Sequence, residues 1–347
     1  MNFLFVALLS SGLAVEPALP DAETVFAIPD PLRIELHRVV PARASDENKL
    51  RNLVDFVFGD AGLDLSYDTS TTRTVAETYR DRAGNCVSVT LLFVALAREV
   101  GLQAQPQEFE QILTWQLHES VLYSVGHVNT RVRTSRSLYV VDIDGSPKLA
   151  RNEPEPISDE RLLAHFYGNR GAELMLAGRH AEADSHLRAA LALQPDFVPA
   201  WNNLGVLRMR ESDIDAAIAA FHSAHDIAKQ NISTLLNLIA LHGRSGNTRE
   251  QSKWQRRLER VRRNDPFYHY LLALEAEQHQ DYTGAGEHFR RAIRLREGEH
   301  LFHFGLARAA YHNGQLEEAA RALARAHTLS AGAQRNLYQA KLESLSH

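Results

Sequence analysis

Residues 82–102 read RAGNCVSVTLLFVALAREVGL and contain the only cysteine of the 347-residue chain. This segment predicts a helix that begins at Cys86 and ends at Gly101. A helix N-terminus carries partial positive charge and unpaired N–H groups, which favour a thiolate and can bind an oxyanion. Cys86 is therefore a candidate nucleophile, although a single free cysteine can also be a small buried hydrophobic residue. The helix prediction rests on apolar side chains spaced three or four residues apart, namely Val89, Leu92, Phe93, Leu96 and Val100.

Two segments downstream supply side chains that could assist this cysteine. The sequence HVNTRV begins at His127, and SLYVVDIDG contains Asp142. Both segments have the alternating or β-branched pattern of strands, and the SRS between them suits a hairpin turn. A cysteine on a helix, followed by a histidine and an aspartate on neighbouring strands, supplies a nucleophile, a base and a residue that orients the base.

With these residues the chain resembles the transglutaminase-like superfamily of papain-like folds. The family pattern is a Gly-x-Cys helix start, a strand histidine and an aspartate on the next strand, and GNCVSVTLLFVALAREVGL is similar to its cysteine helix. The resemblance covers residues 45–150 and implies an α+β domain. It implies Cys86 as nucleophile, His127 as base and Asp142 as orienter. Many active members have an aromatic residue soon after the histidine and an Asp-Pro after the last strand, whereas this chain reads HVN and DID.

Asp144 is an alternative orienter, because residues two apart lie on the same face of a strand. Asp144 precedes Gly-Ser-Pro, which suits a turn in which an aspartate bonds its own backbone. Asp142 lies within the apolar YVVDI, where an ionised carboxylate is costly unless a group such as an imidazole pairs with it. The sequence therefore favours Asp142.

Composition is that of a globular protein, with 44% hydrophobic and 23% charged residues and a net charge of −5. Lysine and arginine are scattered, so no nucleic-acid surface is predicted. A single cysteine excludes an intramolecular disulfide and a cysteine-rich zinc site.

His300 and His303 share a helical face, but the glutamate expected between two zinc-binding histidines is missing, and chance proximity is the interpretation adopted. Neither a metal nor a cofactor is predicted.

The N-terminal segment predicts export. Residues 1–14 form a short apolar run that fits a secretory signal peptide cleaved after Ala14, and it is too short for a transmembrane helix. This predicts a periplasmic protein without an integral membrane span, with a cytoplasmic location as the alternative. Residues 15–44 contain five prolines and predict an extended lead-in.

The rest of the chain divides into an α+β domain and an all-α solenoid. Residues 46–59 and 75–82 predict helices before the cysteine helix. Residues 151–163, in a segment rich in proline and charge, predict a linker. From residue 164 to 333, small and large apolar residues recur every 34 residues and resemble about five tetratricopeptide repeats, of which the one around Leu235–Pro266 is degenerate. Residues 334–347 predict a closing helix.

Two functions are compatible with these features. The first is a cysteine enzyme acting on amide bonds of a protein or peptide, as a peptidase, an amidase or a transglutaminase-type acyl transferase, with the repeats binding a protein or peptide in their groove. The second is an inactive transglutaminase-like scaffold whose repeats mediate protein–protein interaction. The presence of all three polar residues favours the enzyme.

Overall fold

The structure is a computed structural model that describes residues 19–113, 124–143 and 154–345. The elements before the repeats are α1 (Ala22–Phe26), α2 (Asp30–Val39), α3 (Asp46–Phe58), β1 (Ser66–Tyr67), α4 (Val75–Asp81), β2 (Ala83–Gly84), α5 (Cys86–Glu99), β3 (Gln103–Leu113), β4 (Ser124–Arg133), β5 (Leu138–Val141) and β6 (Glu155–Pro156).

The strands of the described residues form two sheets. β1 and β2 are a short parallel pair in which Ser66 lies opposite Ala83. The other sheet has the order β5-β4-β3-β6, with antiparallel pairing between β4 and β5 and between β3 and β6. Helices and a small, mainly antiparallel sheet make this an α+β domain, as the sequence predicts.

Helix α5 is the most deeply buried helix of this domain. It contacts α3, α4 and the first repeat helix, and Phe93 stacks on Phe58 of α3. A helix that is apolar on every face is stable only when other elements cover every face. Its buried residues include Val87, Val89, Leu91, Leu92, Phe93, Val94, Leu96 and Ala97.

The extended lead-in predicted for residues 15–44 is wrong for the described part of that range. Residues 22–26 and 30–39 are helical, and Val25, Leu32 and Leu36 are fully buried. The prolines misled the prediction because Pro29 precedes α2 and Pro31 lies in its first turn, where a helix needs no backbone N–H from the residue. These helices therefore belong to the folded domain.

The linker predicted at residues 151–163 is also wrong in its described part. Residues 155–156 form β6 at the edge of the sheet, and the first repeat helix, α6 (Asp159–Leu176), begins inside the predicted linker. Ser158 caps this helix by accepting a hydrogen bond from the Arg161 N–H. The chain therefore passes from the sheet into the first repeat within a few residues.

Buried charges join α6 to the sheet. The Glu108 side chain of β3 is 11% exposed, and it lies 3.0 Å from Arg161 Nε and 3.0 Å from His165 Nε2. Burial alone would raise the pKa of Glu108, but the hydrogen bond and charge of His165 and the charge of Arg161 lower it to about 2. Tyr167 adds a hydrogen bond to the Pro20 carbonyl.

The repeat helices follow a strict spacing. The second helix of each pair begins at residue 180, 214, 248, 282 or 316, which is a constant offset of 34. The helices after α6 are α7 (His180–Leu193), α8 (Val198–Arg210), α9 (Ile214–Ile227), α10 (Ile232–Arg244), α11 (Thr248–Arg263), α12 (Pro266–Gln278), α13 (Tyr282–Leu295), α14 (His300–His312), α15 (Leu316–Leu329) and α16 (Gly332–Leu345).

The periodic residues of the sequence are the buried contacts between these helices. The recurring alanines and the large residues four positions later are buried, and a Cβ added at Gly205 of α8 would lie 2.4 Å from the Phe221 ring of α9. Small residues therefore let paired helices approach closely. The residues concerned are Ala183, Ala217, Ala285, Ala319, Leu187, Phe221, Phe289 and Leu323.

The third pair, α10 and α11, keeps the spacing although its sequence departs from the pattern. Trp254 and Leu258 are its buried residues on α11, one turn apart. The Gln251 amide lies close to Gly243 of α10, which has no side chain to obstruct it. This repeat is degenerate in sequence because a tryptophan one position earlier replaces the usual large residue.

Helix α16 packs against α15, the last helix of the repeats, and it begins at Gly332, two residues before the predicted range 334–347. Tyr338 is almost fully buried, stacks on Phe304 at 4.8 Å and shares a 3.0 Å hydrogen bond with His300. An aromatic ring thus covers apolar surface that would otherwise be exposed at the end of the solenoid.

The described residues form two compact units. The first comprises residues 19–108, 127–143 and 154–203, and the second comprises residues 109–113, 124–126 and 204–345. The first pair of repeat helices therefore shares a unit with the α+β domain. Within the described ranges, no helix is long and apolar enough to cross a membrane.

We predict that Glu108→Gln lowers the unfolding free energy at neutral pH by about 3 kcal/mol, the equivalent of its pKa shift. The lowered pKa means that this stabilisation is present above pH 4.5 and is lost as the pH falls toward 2. Urea unfolding of both proteins across this range should therefore show a difference that shrinks with acidification.

The matched control is Asp196→Asn, because Asp196 also faces Arg161, at 3.4 Å, but its side chain is 71% exposed. This change should cost less than about 0.5 kcal/mol. A stability difference between wild type and Glu108→Gln that stays constant with pH would contradict the lowered pKa of Glu108.

Candidate active site

The backbone before Cys86 is held on both sides. Gly84 lies in β2 opposite Tyr67, and its carbonyl accepts a hydrogen bond from the Asp68 N–H at 3.1 Å. A Cβ at Gly84 would lie 2.9 Å from the Ser88 Cβ on α5. A larger residue would therefore push the strand away from the helix, and the Gly-x-Cys pattern has a packing reason.

Asn85 caps the cysteine helix. Its Oδ1 accepts hydrogen bonds from the Ser88 N–H at 3.0 Å and the Ser88 hydroxyl at 2.9 Å. Its Nδ2 donates to the Thr72 hydroxyl at 2.7 Å, and the Ser88 hydroxyl accepts from the Arg73 N–H at 2.8 Å. All polar atoms of the Asn85 side chain are thus engaged, and Cys86 is fixed as the first residue of α5.

His127 and Asp142 meet across the hairpin of β4 and β5. His127 Nε2 donates to Asp142 Oδ2 at 2.6 Å, and the two side chains are 7% and 15% exposed. Thr130 of β4 pairs with Val141, the last residue of β5, so Asp142 follows directly after the paired strand. The apolar run YVVDI predicts Asp142 within the strand, whereas Asp142 lies one residue beyond the end of β5.

Asn129 is a residue of this site that the sequence analysis did not single out. Its Nδ2 donates to the same Asp142 Oδ2 at 2.9 Å, and the side chain is buried. His127 and Asn129 are two apart on β4 and therefore share a face, which is the signal that could have identified it. Two donors on one carboxylate oxygen fix the position of Asp142.

The electrostatics of His127 favour its protonated form. Burial lowers the pKa of the imidazole, but hydrogen bonds and charge interactions with Asp142 and Cys86 outweigh burial and raise the pKa to about 9. Because Nε2 is bonded to Asp142, Nδ1 is the nitrogen available to the cysteine sulfur. At neutral pH the ring is therefore a cation held between a carboxylate and the thiol group.

The three residues predicted from the sequence therefore lie together. Cys86 is half-buried, and together with Val89 and Phe93 of α5 it lines a small cavity that Asn129 of β4 and Asp142 also line. A cysteine sulfur, a protonated histidine and a fixed carboxylate are the groups that nucleophilic attack followed by proton transfer requires.

Other candidate residues are not part of this site. Asp144, the alternative orienter, lies outside the described residues. Gln107 of β3 is only 3% exposed, and it is not among the residues that line the cavity at Cys86. His303 bonds the Glu297 carbonyl at 2.8 Å, and the described part of the chain has no cluster of residues suited to a metal ion.

Comparison with known families agrees with this architecture. Residues 36–108 match the transglutaminase-like superfamily, and residues 170–232, 255–300 and 270–334 match the tetratricopeptide repeat family. The first match includes Cys86 and ends before His127. The chain therefore contains a transglutaminase-like domain followed by tetratricopeptide repeats, in the predicted order.

Solved structures with helical repeats are also similar to the chain. The APC/C hetero-tetramer Cut9-Hcn1 is 21% identical over 48% of this chain, with a TM-score of 0.28, and the chain spans 34% of its length. A tetratricopeptide repeat protein from Parabacteroides merdae is 20% identical over 48% of this chain and 66% of its own, with a TM-score of 0.27. YrrB, a repeat protein with an unusual peptide-binding site, is 16% identical over 52% of this chain and 92% of its own, with a TM-score of 0.27.

We predict that Asp142→Asn lowers the pKa of His127 from about 9 by one unit or more, because the ring loses its carboxylate partner. NMR titration of the His127 ring, assigned by its loss in His127→Asn, measures this shift.

The matched comparison is Asp144→Asn, which should leave the pKa of His127 unchanged. If Asp144→Asn lowers the pKa and Asp142→Asn does not, Asp144 is the orienter.

Proposed function

We propose that the protein is a cysteine enzyme that acts on an amide carbonyl of a protein or peptide. The observation that carries the proposal is the His127–Asp142 hydrogen bond of 2.6 Å beside a half-buried cysteine at the start of a helix. The nucleophile in this chemistry is a thiolate, and an imidazolium beside the sulfur is a group that can pair with it.

The first half-reaction forms an acyl-enzyme. The Cys86 sulfur attacks the carbonyl carbon, and the negative charge that develops on the carbonyl oxygen is stabilised by backbone N–H groups at the start of α5. His127 then gives its Nδ1 proton to the leaving nitrogen as the C–N bond breaks. The products are a free amine and a thioester on Cys86.

The second half-reaction releases the acyl group. A water molecule or an amine attacks the thioester carbonyl, His127 accepts its proton, and the carbon–sulfur bond breaks to regenerate the cysteine. Water gives hydrolysis and an amine gives acyl transfer. Asp142 keeps the imidazole in place through both steps, and Asn129 keeps Asp142 in place.

The repeats supply a protein-binding domain. Paired helices stacked with a constant offset form a curved solenoid whose inner helices can present side chains to a peptide. We propose that the surface formed by these inner helices binds the protein on which Cys86 acts.

We predict that Cys86→Ser and Cys86→Ala fold with unfolding free energies within about 1 kcal/mol of wild type, because Cys86 is small and only half-buried. Both variants should lose covalent capture of an activated ester and of a peptide amide, measured as an acyl adduct by intact-protein mass spectrometry.

Capture retained by Cys86→Ala would disprove the nucleophile assignment. If wild type forms no adduct while the chain still binds partner proteins through the repeats, the inactive scaffold is the better description.

A further inference from the structure

The first repeat helix contacts the cysteine helix near one end and contacts, near the other end, the segment that holds its N-cap residue. Near the C-terminal end of α5, Arg98 forms two hydrogen bonds to Asp159 of α6, at 2.6 and 2.9 Å. Near the N-terminal end, the Glu173 carboxylate of α6 accepts a hydrogen bond from the Thr72 N–H at 2.8 Å. The two helices are therefore antiparallel, and the two contacts on α6 are 14 residues, or about 21 Å, apart.

Glu173 is linked to the start of α5, at Cys86, through Thr72 and Asn85. Thr72 is fully buried, its N–H is bound by Glu173, and its hydroxyl accepts from Asn85. Asn85 in turn caps α5 at the residue before the cysteine. The position of the cysteine sulfur thus depends on a side chain that lies in the repeat region of the sequence.

We propose that Glu173 is a positioning residue for Cys86 and acts through Thr72 and Asn85. That Glu173 affects catalysis rests on the proposed function of Cys86. Glu173 does not touch the reacting atoms. It holds the segment that fixes Asn85, and Asn85 sets where the helix begins and where the sulfur lies relative to His127.

The role requires an acceptor oxygen and not a charge. In Glu173→Gln the amide oxygen can still accept from the Thr72 N–H, whereas Glu173→Leu leaves that buried N–H without this partner. The segment 71–73 would then shift to reach another acceptor and would move Asn85 with it. The contact of Asp159 with Arg98 provides the matched control, because it is also made by α6 but joins α5 at the end far from Cys86.

The test measures alkylation of Cys86 by iodoacetamide in the full chain, where it is the only cysteine. Glu173→Leu should lower the second-order rate constant about tenfold or more, since small displacements of reacting groups have effects of this size. Glu173→Gln should stay within about twofold of wild type. Asp159→Asn should lower the melting temperature without changing the alkylation rate.

Hydrogen exchange gives a second readout that does not depend on cysteine chemistry. Glu173→Leu should accelerate exchange at residues 86–88, and Asp159→Asn should accelerate it at residues 97–100. If Glu173→Leu does not fold, Thr72→Val, which removes only the hydroxyl that binds Asn85, should lower the alkylation rate in the same way.

Two outcomes overturn the inference. One is wild-type alkylation and exchange in Glu173→Leu, and the other is an equal loss of alkylation in Asp159→Asn. A wild-type Cys86 that reacts no faster than a free thiol would instead count against the proposed function, while the exchange pattern would still decide the role of Glu173.

Discussion

Burial of the cysteine helix is the constraint on which the rest of the first unit depends. α5 carries apolar side chains on every face, so α3, α4 and α6 must all cover it. Part of its surface remains exposed at Arg98 in the last turn, and Cys86 in the first turn is half-buried. The fold therefore places the single cysteine at the start of this helix, and it fixes that end with the Asn85 cap.

Asp142 adds a charged carboxylate to the site at the start of α5. Asp142 would be costly to bury alone, and two donors from β4, His127 Nε2 and Asn129 Nδ2, offset that cost at a single oxygen. The Asp142 carboxylate, together with Cys86, outweighs the effect of burial and raises the pKa of His127 to about 9. The Asp142 carboxylate thus has two partners: Asn129 fixes its position, and His127 is the proton carrier of the proposed reaction. The strand pairing that brings them together is set by the register of the β4–β5 hairpin.

Sequence patterns were sufficient for elements defined by local periodicity. The cysteine helix, the helices at residues 46–58 and 75–81 and the 34-residue repeat all follow from spacing and capping residues. Prolines were misleading at residues 30–39, because the first turn of a helix tolerates them. Contacts between distant segments could not be predicted: Glu173 and Thr72 are 101 residues apart. No local pattern marks Glu173 as a neighbour of the cysteine helix. For the same reason the linker predicted at residues 151–163 differs from the structure, which has β6 and the start of α6 in the described part of that range.

The central claim is that Cys86, His127 and Asp142 act as one unit. The most direct test is the rate of Cys86 alkylation by iodoacetamide near pH 6, where an ordinary thiol is almost entirely protonated and reacts slowly. The account predicts that the folded wild-type protein reacts at least about tenfold faster than the same chain unfolded in urea, and that His127→Asn removes the difference. Equal rates for folded and unfolded wild type, with no effect of His127→Asn, would contradict it.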